Sequence, residues 1–174
     1  TTLFRSVAKE IPAKNWGHDL NGFLTALSDK TKLIFIANPN NPTGNFLTEA
    51  ELDAFLAKVP ENVIVVLDEA YTEFTHPSER VNSFALLDKY PNLIVSRSLS
   101  KAYGLAGLRI GYAVSNPEIA DLLNRVRQPF NCNSLALTSA IAVMNDDAFV
   151  EKVAENNRQE MKRSEERRVG KECT

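Results

Sequence analysis

Cysteine is scarce in this chain of 174 residues. Cys132 and Cys173 lie far apart and lack Cys-x-x-Cys spacing, so neither a disulfide framework nor a zinc site is indicated. The default compartment for such a chain is the reducing cytoplasm. Net charge is almost absent as well: 20 Lys plus Arg against 22 Asp plus Glu leave −2. That excludes a global attraction for nucleic acid or an anionic membrane, so any anion site must be local. No apolar run approaches the ~18 residues of a membrane span. The start, Thr1-Thr2-Leu3-Phe4-Arg5, has neither the basic nor the apolar region of a signal peptide. It also lacks an initiator Met, as expected of a fragment or a trimmed chain. His18 and His76 are isolated, without metal-ligand spacing, and read as surface or capping residues. Neither Gly-x-Gly-x-x-Gly nor Gly-x-x-x-x-Gly-Lys-[Ser/Thr] occurs. There is no internal repeat and no low-complexity linker.

What is present has the composition of a globular domain, 44% hydrophobic and 24% charged. A domain of this size buries roughly 70% of the surface its unfolded chain exposes, enough for one core without metals or disulfides. Four apolar runs rich in β-branched residues read as buried strands: 33–37, 63–67, 93–95 and 110–114. Their near-continuous hydrophobicity suits a sheet covered on both faces. Between the first two, Thr48 and Glu51 form a capping box, and Leu52, Phe55, Leu56 and Val59 follow at helical spacing, predicting a helix over 48–58. Strand, helix and strand within about 35 residues make a right-handed crossover between parallel strands. Residues 82–88 supply a second, shorter crossover. The stretch 96–109 has no long helical pattern, so an antiparallel return to the fourth strand is expected. Asn116 with Pro117 caps a helix carrying Ile119, Leu122, Leu123 and Val126. Residues 134–144, apolar on nearly all sides, and 147 to about 161 predict two more helices. The tail 163–174 has a single Val and almost no other apolar side chain. It looks like translated sequencing-adapter sequence and is expected to be non-native or disordered, with a frayed helix end as the alternative.

Ligands of open parallel sheets sit at the carboxyl ends of the strands, and here each of those ends is polar. The first gives Asn38-Pro39-Asn40-Asn41-Pro42-Thr43-Gly44, the second Asp68-Glu69-Ala70-Tyr71, the third Ser96-Arg97-Ser98-Leu99-Ser100-Lys101. Each proline fixes its own φ and pushes the preceding Asn out of the helical region, so the first turn is rigid and can hold the Asn41 amide at a fixed point. Taken alone it would be an ordinary strand-to-helix loop. Asp68 ends an apolar run, where an ionised carboxylate is costly without a cationic or hydrogen-bonding partner. A ligand nitrogen, a structural Arg or Lys, or a capped amide would serve. The same pattern also marks the metal-side strand of P-loop ATPases. An ordinary lysine amine is almost wholly protonated at neutral pH, so Lys101 as a nucleophile needs a site favouring the neutral form. Alone, a lysine in such a loop is a solvated one.

Together, Asn-Pro-Asn-Asn-Pro-Thr-Gly (38–44), Asp-Glu-Ala-Tyr (68–71), Ser-Leu-Ser-Lys (98–101) and Gly-Leu-Ala-Gly-Leu-Arg-Ile-Gly-Tyr (104–112) resemble, in order and spacing, the fold-type I pyridoxal-phosphate aminotransferases. Asp-Glu-Ala-Tyr-Thr-Glu-Phe (68–74), Lys-Ala-Tyr-Gly-Leu-Ala-Gly-Leu-Arg (101–109) and Arg-Gln-Pro-Phe-Asn (127–131) look most like the histidinol-phosphate aminotransferase type. The likeness runs over roughly residues 5 to 162. It implies an α/β fold: part of a large pyridoxal-phosphate-binding domain over 1–162, with a mostly parallel sheet, one antiparallel strand and helices on both faces. It makes Lys101 the catalytic amine, which condenses with the cofactor aldehyde and shuttles a proton at the substrate. Asp68 would pair with the pyridine nitrogen, Asn41 and Tyr71 would hydrogen-bond the ring's 3′ oxygen, and Ser98 and Arg109 would hold the phosphate, assisted by Ser100. No metal ligand is implied.

The implied activity passes an amino group reversibly between glutamate and imidazole-acetol phosphate, giving histidinol phosphate and 2-oxoglutarate. Its partners are a small-molecule amino donor and keto acceptor and a second copy of the enzyme in a homodimer, with no nucleic acid and no membrane. The family's earlier phosphate-binding turn and ring-stacking aromatic should precede Thr1, and its small domain should follow, so little activity is expected of this chain alone. Two other functions stay open on the sequence: a pyridoxal-phosphate decarboxylase of a phosphorylated amino acid, and a P-loop ATPase fragment. A non-catalytic folded fragment would share the same scaffold.

Overall fold

The structure is a computed structural model and describes residues 6–171, of which 165–171 are described as backbone only. The elements run α1 (Leu20–Ala26), β1 (Leu33–Ala37), α2 (Glu49–Leu56), β2 (Ile64–Asp68), α3 (Ser83–Lys89), β3 (Leu93–Ser98), β4 (Gly111–Ser115), α4 (Pro117–Val126), α5 (Ser134–Val143) and α6 (Asp147–Lys171), with short 3-10 turns at Thr72–Phe74, Pro77–Glu79 and Ala106–Leu108. The four strands form one sheet in the order β1-β2-β3-β4. β1, β2 and β3 are parallel, and β4 returns antiparallel to β3, as the short 96–109 connection requires.

Local chemistry sets the helix starts. The Thr48 side chain accepts from Glu51 N while Glu51 Oε2 accepts from Thr48 N, completing the capping box of α2. Asn116 Oδ1 accepts from Ile119 N ahead of Pro117 in α4, and Asn133 Oδ1 accepts from Ala136 N in α5. α1 is the helix that the expected pattern omits. Its N-cap Asp19 makes no side-chain cap bond, so the start signal is weak. Its Leu20, Phe23 and Leu24, with Leu27 beyond its end, nevertheless pack on the core at helical spacing.

Strand pleating divides the sheet into two unlike faces. Ile34, Ile36, Val65, Leu67, Leu93 and Val95 point to one face and join Leu52, Phe55, Leu56 and Leu86 in the main core beneath α1, α2 and α3. On the other face of β1, Leu33 and Phe35 remain 52% and 65% exposed. Their hydrophobicity matches the expectation of two covered faces, but the described residues cover fully only one. A smaller cluster of Leu99, Ile110, Ala136 and Ala140 seats the loop after β3 against α5. α6 packs on the Thr72–Phe74 turn and continues as helix past Arg163 to Lys171, where the expectation is a non-native or disordered tail with a frayed helix end as the alternative. The reason is local: Arg, Glu and Lys are good helix formers, and Arg163 pairs with Glu160 one turn earlier, so this segment needs no core to stay helical. Residues 172–174 of that expected tail lie outside the described ones.

Candidate active site

Three loops meet at the carboxyl end of the parallel strands. The first leaves β1 at Asn38, whose N–H donates to Asp68 O at 2.8 Å and so ties the loop to the end of β2. The buried Asn38 side chain closes the loop from inside: Nδ2 donates to Leu47 O at 3.1 Å and Oδ1 accepts from Leu47 N at 2.6 Å. Within the loop Gly44 N donates to Asn40 O and Asn40 N donates to Asn45 O. Gly44 takes φ +74°, a conformation glycine adopts without Cβ strain. Asn41 stands at the exposed tip, and its Nδ2 donates to Tyr71 OH at 3.0 Å.

The third loop carries Lys101 between two anchors. Leu99 and Ala102 are fully buried, Leu99 N donates to Ile110 O, and Leu105 N donates to Leu99 O. With those neighbours turned inward, the exposed Lys101 side chain faces out, and its Nζ lies 5.3 Å from the centroid of the Tyr71 ring. Ser98 Oγ accepts from Ser100 N at 3.1 Å. Arg109 adopts the left-handed conformation, φ 54° and ψ 57°, uncommon for a residue with a Cβ. Its NH1 donates to Ala106 O at 2.9 Å and lies 3.5 Å from Ser100 Oγ. Two groups therefore form from the expected site residues: Asn41, Tyr71 and Lys101, and Ser98, Ser100 and Arg109.

Asp68 belongs to neither group by direct contact, and the structure corrects the argument made for it. Its carboxylate is exposed and its Oδ1 accepts from Ala70 N at 3.0 Å, so burial imposes no cost that demands a partner. The pleat puts Asp68 on the open face with Val66, and sends Glu69 to the other. Glu69 is the buried acid, 1% exposed, with Oε2 accepting from Ser83 Oγ at 3.0 Å and from Arg97 Nε and NH2 at 3.0 and 2.8 Å. Burial pushes the Glu69 carboxyl up, more than the charge and hydrogen bonds of Arg97 pull it down. Glu73 is also buried, and its Oε1 finds no hydrogen-bond partner among the described residues. Burial is the main cause raising its carboxyl too, against the nearby charges of Arg97 and Arg80. The phenol of Tyr103 is raised, chiefly by burial and then by the carboxylate of Glu73.

Asn38, Glu69 and Arg97 are the residues the sequence argument passed over. Parity along β2 was the available signal, since Val65, Leu67 and Glu69 must share a face. His18 and His76 take structural posts: Nε2 of His18 is 2.8 Å from Ala37 O, and His76 caps the Pro77–Glu79 turn.

Comparison with known proteins accounts for this arrangement. A family model described as aminotransferase class I and II matches residues 3–170. A histidinol-phosphate aminotransferase 2 of Haemophilus influenzae is 82% identical over 166 residues, covering 95% of this chain and 45% of that protein. The crystal structure of histidinol-phosphate aminotransferase from Sinorhizobium meliloti in complex with pyridoxal-5′-phosphate superposes with a TM-score of 0.81 at 36% identity, over 88% of this chain and 42% of that one. L-threonine-O-3-phosphate decarboxylase from Porphyromonas gingivalis superposes at 0.64 with 32% identity, over 71% of this chain and 37% of that one. The chain thus spans less than half the length of the relatives it matches. The apolar strand ending in Asp68 is accounted for by these relatives and not by a P-loop ATPase: the chain belongs to the aminotransferase class I and II family.

Proposed function

We propose that this chain is the central, cofactor-holding part of a pyridoxal-phosphate-dependent transaminase. It would interconvert histidinol phosphate and 2-oxoglutarate with imidazole-acetol phosphate and glutamate. The observation that carries the proposal is the meeting of Asn41, Tyr71 and Lys101 at the carboxyl end of the sheet, in a chain 82% identical to a histidinol-phosphate aminotransferase. The donor set suits the cofactor. An amine and a phenol–amide pair stand together, an arginine and two serines form a second, anion-suited group, and an exposed carboxylate ends the strand between the two loops.

Bound pyridoxal phosphate supplies an electron sink that lets a proton leave the substrate carbon. Lys101 Nζ would hold the cofactor covalently and, when free, would take and return that proton. Asp68 would pair with the ring nitrogen and favour its protonated form. Asn41 Nδ2 and Tyr71 OH would hydrogen-bond the ring oxygen. Ser98, Ser100 and Arg109 would hold the phosphate, Arg109 with a guanidinium geometry suited to it. Residues 1–162 form the domain part that does this, with 163–174 outside it. A cytoplasmic homodimer completes the reading, supported by the sparse cysteines and by apolar side chains such as Leu137 and Ile141 left exposed on α5.

The test joins this segment to the flanking sequence of the Haemophilus influenzae relative. Pyridoxal phosphate is added, the visible spectrum recorded, the adduct reduced with borohydride, and the labelled peptide mapped. Label at Lys101, lost in Lys101→Ala, with glutamate formed from histidinol phosphate and 2-oxoglutarate, is the expected result. Label scattered over surface lysines would overturn it. A second reading, a decarboxylase of a phosphorylated amino acid, is favoured by the Porphyromonas gingivalis neighbour, and release of carbon dioxide from added L-threonine O-3-phosphate, with no glutamate formed from histidinol phosphate and 2-oxoglutarate, would select it.

A further inference from the structure

On the exposed face of the sheet the proposed site needs two fixed points, Asp68 at the end of β2 and Ser98 at the end of β3. Among the described residues no hydrogen bond on that face links them. The ladder between β2 and β3 ends at Asp68↔Ser96, and Glu69 N donates one last bond to Ser96 O at 2.8 Å. Beyond it Ser98 is paired only with Gly111 of β4. The last two residues of β3 therefore have no backbone tie to β2, although they lead directly to Ser100 and Lys101.

The tie lies behind the sheet. Glu69 and Arg97 immediately follow Asp68 and Ser96, and the pleat sends both side chains to the covered face. One carboxylate oxygen, Glu69 Oε2, takes both guanidinium bonds of Arg97 and the hydroxyl of Ser83 from α3. The guanidinium also stacks 4.8 Å from the ring centroid of Phe84 on α3. A charge pair this buried contributes little net stability over an apolar substitute, but its geometry is well defined, with two donors converging on one acceptor.

We infer that the Glu69–Arg97 pair is a positioning device that replaces the missing ladder and sets the distance between Asp68 and the phosphate-binding group that begins at Ser98. The inference rests on the proposed pyridoxal-phosphate site. Its consequence is selective: a ligand gripped at both ring nitrogen and phosphate depends on that distance, and a ligand lacking the phosphate does not.

The experiment uses the same segment with the flanks of the Haemophilus influenzae relative. Pyridoxal phosphate and pyridoxal are titrated separately and followed by the visible band of the bound ligand. The parent is compared with Arg97→Lys, which keeps the charge and loses the planar fork, and with Glu69→Gln, which keeps the shape and loses the charge. Lys89→Ala, which breaks the exposed pair with Asp53, is the control. In both site variants affinity for pyridoxal phosphate should fall about tenfold or more while that for pyridoxal changes by less than about threefold, so the preference for the phosphorylated ligand collapses. The control should keep the parent's preference. Equal losses of both ligands, or no loss of either, would overturn the inference. So would failure of both variants to fold, in favour of a purely scaffolding pair; if one folds, it carries the test. A parent that binds neither ligand would bring down the cofactor reading itself, and the inference with it.

Discussion

Asp68 and Glu69 are consecutive carboxylates with opposite fates, and the pleat of β2 alone separates them. Asp68 faces outward with its Oδ1 bonded to Ala70 N of its own turn; Glu69 faces inward and is held by Arg97 and Ser83. Glu73 carries the cost of burial with least relief, since its Oε1 has no partner among the described residues. Its carboxyl is raised above the ordinary glutamate range, so the folded chain holds this proton over a pH window where the unfolded chain has lost it. Stability contributed by the protonated form is complete below the unfolded value and declines as pH rises through the window to the folded one. Glu73→Gln removes that titration. Thermal melts at a series of pH values should show the variant gaining on the parent as pH rises through this window. A variant whose stability relative to the parent stays constant or falls as pH rises would mean the group ionises at least as freely when folded as when unfolded. The motif residues were legible at this scale because they are polar and sit at strand ends, and the structure brings Asn41, Tyr71 and Lys101 together. Glu69, Arg97 and Asn38 were not, because their importance comes from which face they occupy and what they meet there.

At the scale of elements, the four strands and most helices follow from short-range signals. β1, β2 and β3 are apolar β-branched runs, and α2 announces itself through Thr48 and Glu51. Replacing Thr48 by Ala removes the side-chain acceptor for Glu51 N and the hydroxyl bond to Glu51 Oε2, leaving only the backbone half of the box, Thr48 N to Glu51 Oε2. α2 buries Leu52, Phe55 and Leu56 against the sheet, so the loss is felt by the core as well as the helix. A destabilisation of about 1 kcal/mol is expected, read as a lower midpoint of thermal unfolding; an unchanged midpoint would mean packing alone holds the helix. Where β4 meets β3 the signal was less visible. A Cβ at Gly111 would lie 2.6 Å from Arg97 O, so the antiparallel pair closes only because this residue has none. The sequence shows a glycine there, but not which backbone approaches it. α1 escaped notice for the complementary reason: its apolar residues are correctly spaced, but the helix is short and lacks a capping side chain. The extension of α6 past Arg163 likewise depends on helix propensity rather than on an apolar stripe.

At the scale of the molecule, the described residues cover one side of the sheet fully and the other only in part: Ile94 is buried there, but the β1 strand is not. Leu33 and Phe35 on β1, Val126 on α4 and Ile141 on α5 stand largely exposed, and Leu33 and Phe35 lie on the same face of one strand, where apolar side chains favour a covering partner. The relatives that this chain matches are more than twice its length, and residues beyond the shared segment are predicted to cover this face. The two settings give the same substitution opposite signs. In the 174-residue chain alone, Phe35→Ser removes a sticky side chain from water and should lower self-association measured by light scattering. In the segment flanked by the Haemophilus influenzae sequence, where the ring is covered, it should cost about 1.5–3 kcal/mol and lower the unfolding midpoint. The dye anilinonaphthalene sulfonate should bind the chain alone strongly and the flanked protein weakly. If the chain alone is monomeric and dye-silent, or if Phe35→Ser leaves the flanked protein's midpoint unchanged, then β1 is an open surface in its own right and the cover lies elsewhere.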